Sequence, residues 1–225
     1  MTKVFFRHSE FVDFSRILDS LVRFDFYDKN KLAIVLPDMS DSIAKRIKAN
    51  SFTDHELLAL MSVVEFNYNK NKRLYYKTKN NLVNNWRKVE KRGFYERLND
   101  LLKLDIPKEI VCYLSVWGSG GTEVLPDLIF IRINSPKSLK STNSKSIGRI
   151  SYMSRVAYEI VELVVSPLQQ KYSLEYRKYT RIINLILNDL KLFYKQSIVL
   201  DDFSVDATYY KHISKGIKEV FKNVS

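Results

Sequence analysis

Tyr158, Glu159 and Glu162 stand at positions i, i+1 and i+4 of the apolar run RISYMSRVAYEIVELVVSPLQQKY, residues 149–172. On a helix these positions point into one sector. When both outer positions are histidine, the two imidazoles bind one zinc ion and the glutamate between them activates water. Here a phenol and a second carboxylate occupy the histidine places. Zinc at neutral pH takes imidazole or thiolate in at least part of its shell. The triplet therefore keeps the general-base position, Glu159, without the zinc ligands. The plainer reading is a core helix whose two glutamates are solvated or paired with Arg155. A third reading joins Glu159 and Glu162 to Asp189 in an all-carboxylate site, which suits Mg²⁺ or Mn²⁺ rather than zinc.

Other chemistry-bearing motifs are weaker. His55-Glu56 begins like a zinc motif, but Ala59 stands where the second histidine belongs. Asp54 and Glu56 suit a helix N-terminus, whose dipole favours acids. The glycine run GSGG, residues 118–121, leads toward a strand and lacks the Lys-Ser or Lys-Thr of a phosphate loop; it reads as a turn. Cys112, the single cysteine, lies in an apolar run with no histidine adjacent in sequence. The histidines His8, His55 and His212 share no ligand spacing. No metal and no cofactor is expected.

Charge supplies a second candidate. The formal net charge is +12, and residues 67–97 hold ten basic against two acidic residues. Lys70, Lys72, Arg73, Lys77, Lys79, Arg87, Lys88, Lys91 and Arg92 are interleaved there with Tyr68, Tyr75, Tyr76, Trp86, Phe94 and Tyr95. Lysine and arginine neutralise phosphates and aromatic rings stack on bases, so this stretch is a candidate nucleic-acid surface. The bland alternative is a helix with its aromatic rings in the core and its lysines in solvent. Lys137, Lys140, Lys145 and Arg149 in a polar loop would add to the same field.

These residues need elements to hold them. Ser9 is a plausible N-cap for a helix with Phe11, Phe14, Leu18, Leu21 and Val22 at helical spacing. KLAIVLPD (31–38) reads as a buried strand and DSIAKRIKAN (41–50) as a short helix. Thr53 or Asp54 caps a helix that continues through the basic stretch, with Leu57, Leu58, Met61, Val64, Leu82, Trp86, Val89 and Leu98 as apolar contacts. EIVCYLSVW (109–117) and TEVLPDLIFIRI (122–133) are β-rich and read as a hairpin or paired strands about the glycine turn. Three helices follow, near 147–166, 169–195 and 205–223, with the turn SIVLDD, including Asp201 and Asp202, before the last. The fold expected is α+β, with a small mixed sheet wrapped by several helices. Residues 1–106 would form a mainly helical part and 107–225 a strand-turn-strand part with three helices, together one compact domain.

The order strand, glycine turn, strand, polar loop, then apolar helix with Glu159 resembles the zincin-like metallopeptidases of the gluzincin type, over residues 109–195. The resemblance implies that Glu159 matches the family's general base and that Tyr158 and Glu162 fall at the ligand-histidine positions, both departing from the pattern. Glu175 or Asp189 would stand at the third-ligand place on the following helix. What it implies is a degenerate, inactive zincin-like scaffold kept as a binding or regulatory module with a protein or nucleic-acid partner.

Length and composition agree with a folded chain: 225 residues, 45% hydrophobic and 28% charged, which is ample for a core. No apolar run reaches the roughly 18 residues of a membrane span. The N-terminus, MTKVFFRHSEFVDF, lacks a signal-peptide pattern. A lone cysteine suits a reducing cytoplasm, which is the expected location.

Overall fold

The computed structural model describes residues 2–29, 34–39, 45–46, 49, 51–118, 127–133 and 152–190, with the side chains of 177, 188 and 189 outside that description. The expected helix at 205–223, Asp201, Asp202, His212, the side chain of Asp189 and the loop lysines Lys137, Lys140 and Lys145 with Arg149 lie outside the described residues, as does most of 41–50.

The chain is built of helices and strands, as its composition predicts. Strand β1 (Lys3–Arg7) leads into α1 (Glu10–Val22) and the short α2 (Phe24–Lys29). A 37-residue helix, α3 (Asp54–Glu90), and α4 (Phe94–Leu102) follow, then β2 (Glu109–Ser115), β3 (Leu128–Arg132), α5 (Tyr152–Lys171) and α6 (Tyr176–Asp189).

The three strands form one sheet in the order β1-β2-β3, and both pairings are parallel. Two sequence expectations fail here. β2 and β3 are paired strands, as one of the two readings had it, but not a hairpin: Val111 pairs with Leu128 and Ser115 with Arg132 in the same direction. Parallel neighbours require the chain to return to the same end of the sheet, which a tight glycine turn cannot do. The sheet is therefore all parallel among the described strands, not mixed. The third strand is β1, not the 31–38 segment, whose described part makes only an isolated bridge between Val35 and Gly118. Gly118 has φ +77°, and a Cβ there would lie 3.2 Å from the Arg16 carbonyl oxygen, so this bridge needs glycine.

Helix ends follow local chemistry. Ser9 Oγ accepts from the Val12 N–H at 3.2 Å. Thr53 and Glu56 form a reciprocal capping box: the Thr53 N–H donates to Glu56 Oε2 at 2.7 Å, and the Glu56 N–H donates to Thr53 Oγ1. α3 stops at Glu90 rather than running on toward Pro107, because Gly93 takes a left-handed conformation and starts α4. α5 runs through Pro167 to Lys171, beyond the expected end near 166. Proline removes the N–H that would reach the Leu163 carbonyl. Ser166 Oγ donates to that same carbonyl at 3.1 Å, so the lost bond is replaced.

β2 is central, and Ile110, Cys112 and Leu114 are fully buried. The main core joins the sheet to α3, α4, α5 and α6. A smaller cluster, Ile17, Leu21, Leu60 and Val64, glues α1 to the first turns of α3. The buried face of α1 is rotated from the expected one. Val12, Asp13, Arg16, Ile17, Ser20 and Leu21 face inward, whereas Phe11 is 71% exposed and Val22 also faces solvent.

Candidate functional site

α5 packs against β3, and this contact takes Glu159 inward. Glu159 is 5% exposed. Burial first, then the neighbouring Glu162 carboxyl and a hydrogen bond shared with it, hold the Glu159 proton well above the usual carboxylate range. Arg155 and Arg16 are close enough to oppose that shift but do not overcome it. Glu159 Oε2 meets no hydrogen-bond partner. Burial and the adjacent acid thus both disfavour the ionised form of Glu159.

Tyrosines surround the two carboxyls. Tyr158, Tyr176 and Tyr179 all have their phenols pushed up, by burial first and then by the glutamates. The Tyr179 hydroxyl donates to the Glu162 carbonyl at 2.9 Å and ties α6 to α5. Tyr158, Glu159 and Glu162 are thus brought together as the helical spacing requires. The two described histidines do not join them: His8 packs on Tyr75 and Tyr76, and His55 lies in the first turn of α3. Among the described residues, no three His, Cys, Asp or Glu side chains converge in a way that could hold a metal ion. Cys112 is buried and its thiol is pushed up, by burial and by Glu159, which makes it an inert core thiol rather than a nucleophile.

α3 sorts the basic aromatic stretch into two faces. Tyr68, Tyr75, Thr78, Leu82, Trp86 and Val89 point to the core, and Phe94 and Tyr95 of α4 join them. Trp86, which the nucleic-acid reading required at the surface and the helical spacing placed in the core, is 1% exposed and donates its Nε1–H to Tyr95 Oη at 3.2 Å. Packing against Phe94 and Tyr95 removes it from any surface that could stack on a base. On the outer face, Lys70, Arg73, Lys77, Lys88 and Lys91 are all exposed, with Asn80, Asn81 and Asn84 between them. They recur at three- and four-residue intervals, so they form one stripe. Arg87 and Arg92 are exposed beside it. Lys72 and Lys79 instead flank His8, where burial first and then these two lysines lower the imidazole pKa.

A third constellation was missed in sequence. Asp13 of α1 is fully buried, and the Tyr75 hydroxyl donates to its Oδ1 at 2.7 Å. The Ser115 hydroxyl donates to the same oxygen at 2.6 Å. The Val116 N–H reaches Tyr75 Oη at 3.0 Å, and the Trp117 N–H reaches Ser115 Oγ at 3.0 Å. The network binds α1, α3 and the C-terminal end of β2. Burial raises the Asp13 pKa to about 7, against the pull of its two hydroxyl donors. No sequence signal marked it, because the apolar spacing of α1 put Asp13 on the solvent side.

Compared with protein-family models, curated proteins and solved structures, the chain matches none.

Proposed function

We propose that this chain is a non-hydrolytic binding protein that takes nucleic acid along the outer face of α3. One observation carries the reading. Residues 66–89 hold seven basic residues and no acid, on a helix whose opposite face is locked into the core. A solvated surface helix ordinarily mixes both signs, because opposite charges at i, i+4 support it. Here the acid-free stripe from Lys70 to Lys88 runs about 27 Å at 1.5 Å per residue. Such an acid-free ridge attracts phosphates and releases their counterions.

The test is fluorescence anisotropy of a labelled oligonucleotide across a salt series. Seven exposed cations, Lys70, Arg73, Lys77, Arg87, Lys88, Lys91 and Arg92, correspond to a log–log salt slope of about −5 on a single strand. Charge reversal at Lys88, Lys91 and Arg92 together should shrink that slope by about 2 and leave the melting temperature unchanged. Affinity indifferent to these changes would sink the reading.

The resemblance to a zinc peptidase without its chemistry remains part of this proposal, as the scaffold that carries the stripe. Its support is the β2, β3, α5 order and the state of Glu159. A general base must be ionised and reach water. Glu159 is buried, and that burial together with the neighbouring Glu162 disfavours its ionised form. We expect no peptide cleavage with added zinc or manganese. Zinc-dependent cleavage abolished by Glu159→Gln would overturn the non-hydrolytic reading.

A further inference from the structure

The proposed function names a polyanion; two exposed rings narrow it further. Phe66 is 67% exposed and Tyr76 is 50% exposed, on the same helix as the basic stripe. They are the only large aromatic side chains of α3 left in solvent, while Tyr68, Tyr75 and Trp86 are buried. Neither ring is isolated from charge. Lys70 Nζ sits 5.6 Å from the Phe66 ring centroid. Tyr76 neighbours Lys72, Arg73 and Lys77 in sequence. Its ring stands edge-on to His8, with 4.9 Å between centroids, which braces it in place.

We propose that the α3 surface is a single-strand platform, with Phe66 and Tyr76 as base-stacking rings and the lysines and arginines as phosphate contacts. This rests on the nucleic-acid reading above. A duplex meets an exposed ring only where a base step is unstacked, which costs about a few kcal/mol per step. An unpaired strand offers every base face, and stacking on an aromatic ring is tolerant of sequence. Ten residues of helix separate the two rings by about 15 Å along the axis. At about 3.4 Å per nucleotide of a stacked strand, that spacing takes about four nucleotides. Lys70, Arg73 and Lys77 lie over the same stretch, so phosphates and bases are met together. The Lys70 ammonium over Phe66 also leaves the ring beside a cation, an arrangement that favours a base carrying its own phosphate next to it.

The experiment compares four probes across one salt series: a twelve-nucleotide single strand, its duplex, heparin, and vesicles containing phosphatidylserine. Wild type, Phe66→Ala, Tyr76→Ala, Phe66→Tyr and Tyr76→Phe are measured on each, with melting temperatures as the folding control. We expect the single strand to bind at least about tenfold tighter than the duplex. Each alanine should lower single-strand affinity about tenfold, leave heparin binding intact and keep the salt slope, since no phosphate contact is lost. The Phe66→Tyr and Tyr76→Phe variants keep a ring and should bind like wild type. Equal affinity for strand and duplex, with the alanine variants unchanged, overturns the platform and leaves the nucleic-acid reading standing. Loss of vesicle binding alone in the alanine variants means that the rings enter a lipid surface, and it also overturns the platform. Failure to bind any of the polyanions at low salt overturns both.

Discussion

Asp13 and Glu159 are both buried carboxyls, and the fold treats them in opposite ways. Asp13 receives the hydroxyls of Tyr75 and Ser115, which are in turn fastened to the backbone of β2's C-terminal end. Glu159 keeps one oxygen without any partner and shares its environment with a second acid. Burial is the largest cause of the rise in both, and Glu162 adds to it at Glu159. What differs is satisfaction. A buried polar group with all its partners fastens elements together, whereas one left half-satisfied stabilises nothing and costs free energy. Asp13 is therefore a structural joint, and Glu159 is a residue the fold could lose.

Removing each acid is the sharpest way to break the comparison. Asp13→Ala leaves the Tyr75 and Ser115 hydroxyls buried without their acceptor. The expected loss is about 4 kcal/mol in urea denaturation. A loss below 1 kcal/mol would mean that water replaces the carboxyl and that the joint is not one.

The second measure is pH. The Asp13 folded-state pKa is raised, from 3.8 to about 7. Its stabilising contribution is therefore fully present below the unfolded value and is lost as pH rises through 7. Between pH 5 and pH 8 the folded protein should lose about 3 kcal/mol through this group. Glu159, also raised, adds loss in the same direction. In Asp13→Asn the Asp13 part of that slope should disappear. A slope equal to wild type would assign the titration elsewhere.

Glu159→Gln is the smallest expected effect. It removes the ionisable group but keeps the shape, so stability at pH 7 should change by less than about 1 kcal/mol. Oligonucleotide affinity should also stay as it was, because Glu159 is remote from the α3 surface in role. A large loss of stability would reveal a hydrogen-bonding duty that the unpartnered Oε2 does not suggest.

Parts of this molecule could be read from local chemistry. Ser9 and Thr53 announce helix starts because a cap acts within one turn. The charge stripe was visible for the same reason: helical spacing alone places Lys70, Arg73 and Lys77 on one face. The Tyr158, Glu159 and Glu162 constellation also follows from periodicity. Other parts resisted. The inward face of α1 carries Asp13, Arg16 and Ser20, so its apolar pattern pointed at Phe11 instead. β1 was overlooked because Lys3 and Arg7 bracket only three apolar residues.

By itself the sequence determined the helix starts, the concentration of charge on α3 and the shared sector of Tyr158, Glu159 and Glu162. Each of these depends on residues within about one or two turns of one another. Only the tertiary structure decided that β2 and β3 run parallel, that Phe66 and Tyr76 face solvent, and that Asp13 finds its donors. Those outcomes depend on partners far apart in the chain: Tyr75 lies 62 residues from Asp13 and Ser115 lies 102 residues away. No local pattern encodes such a pairing. It appears only when burial excludes water and leaves each polar group to the neighbours that packing supplies.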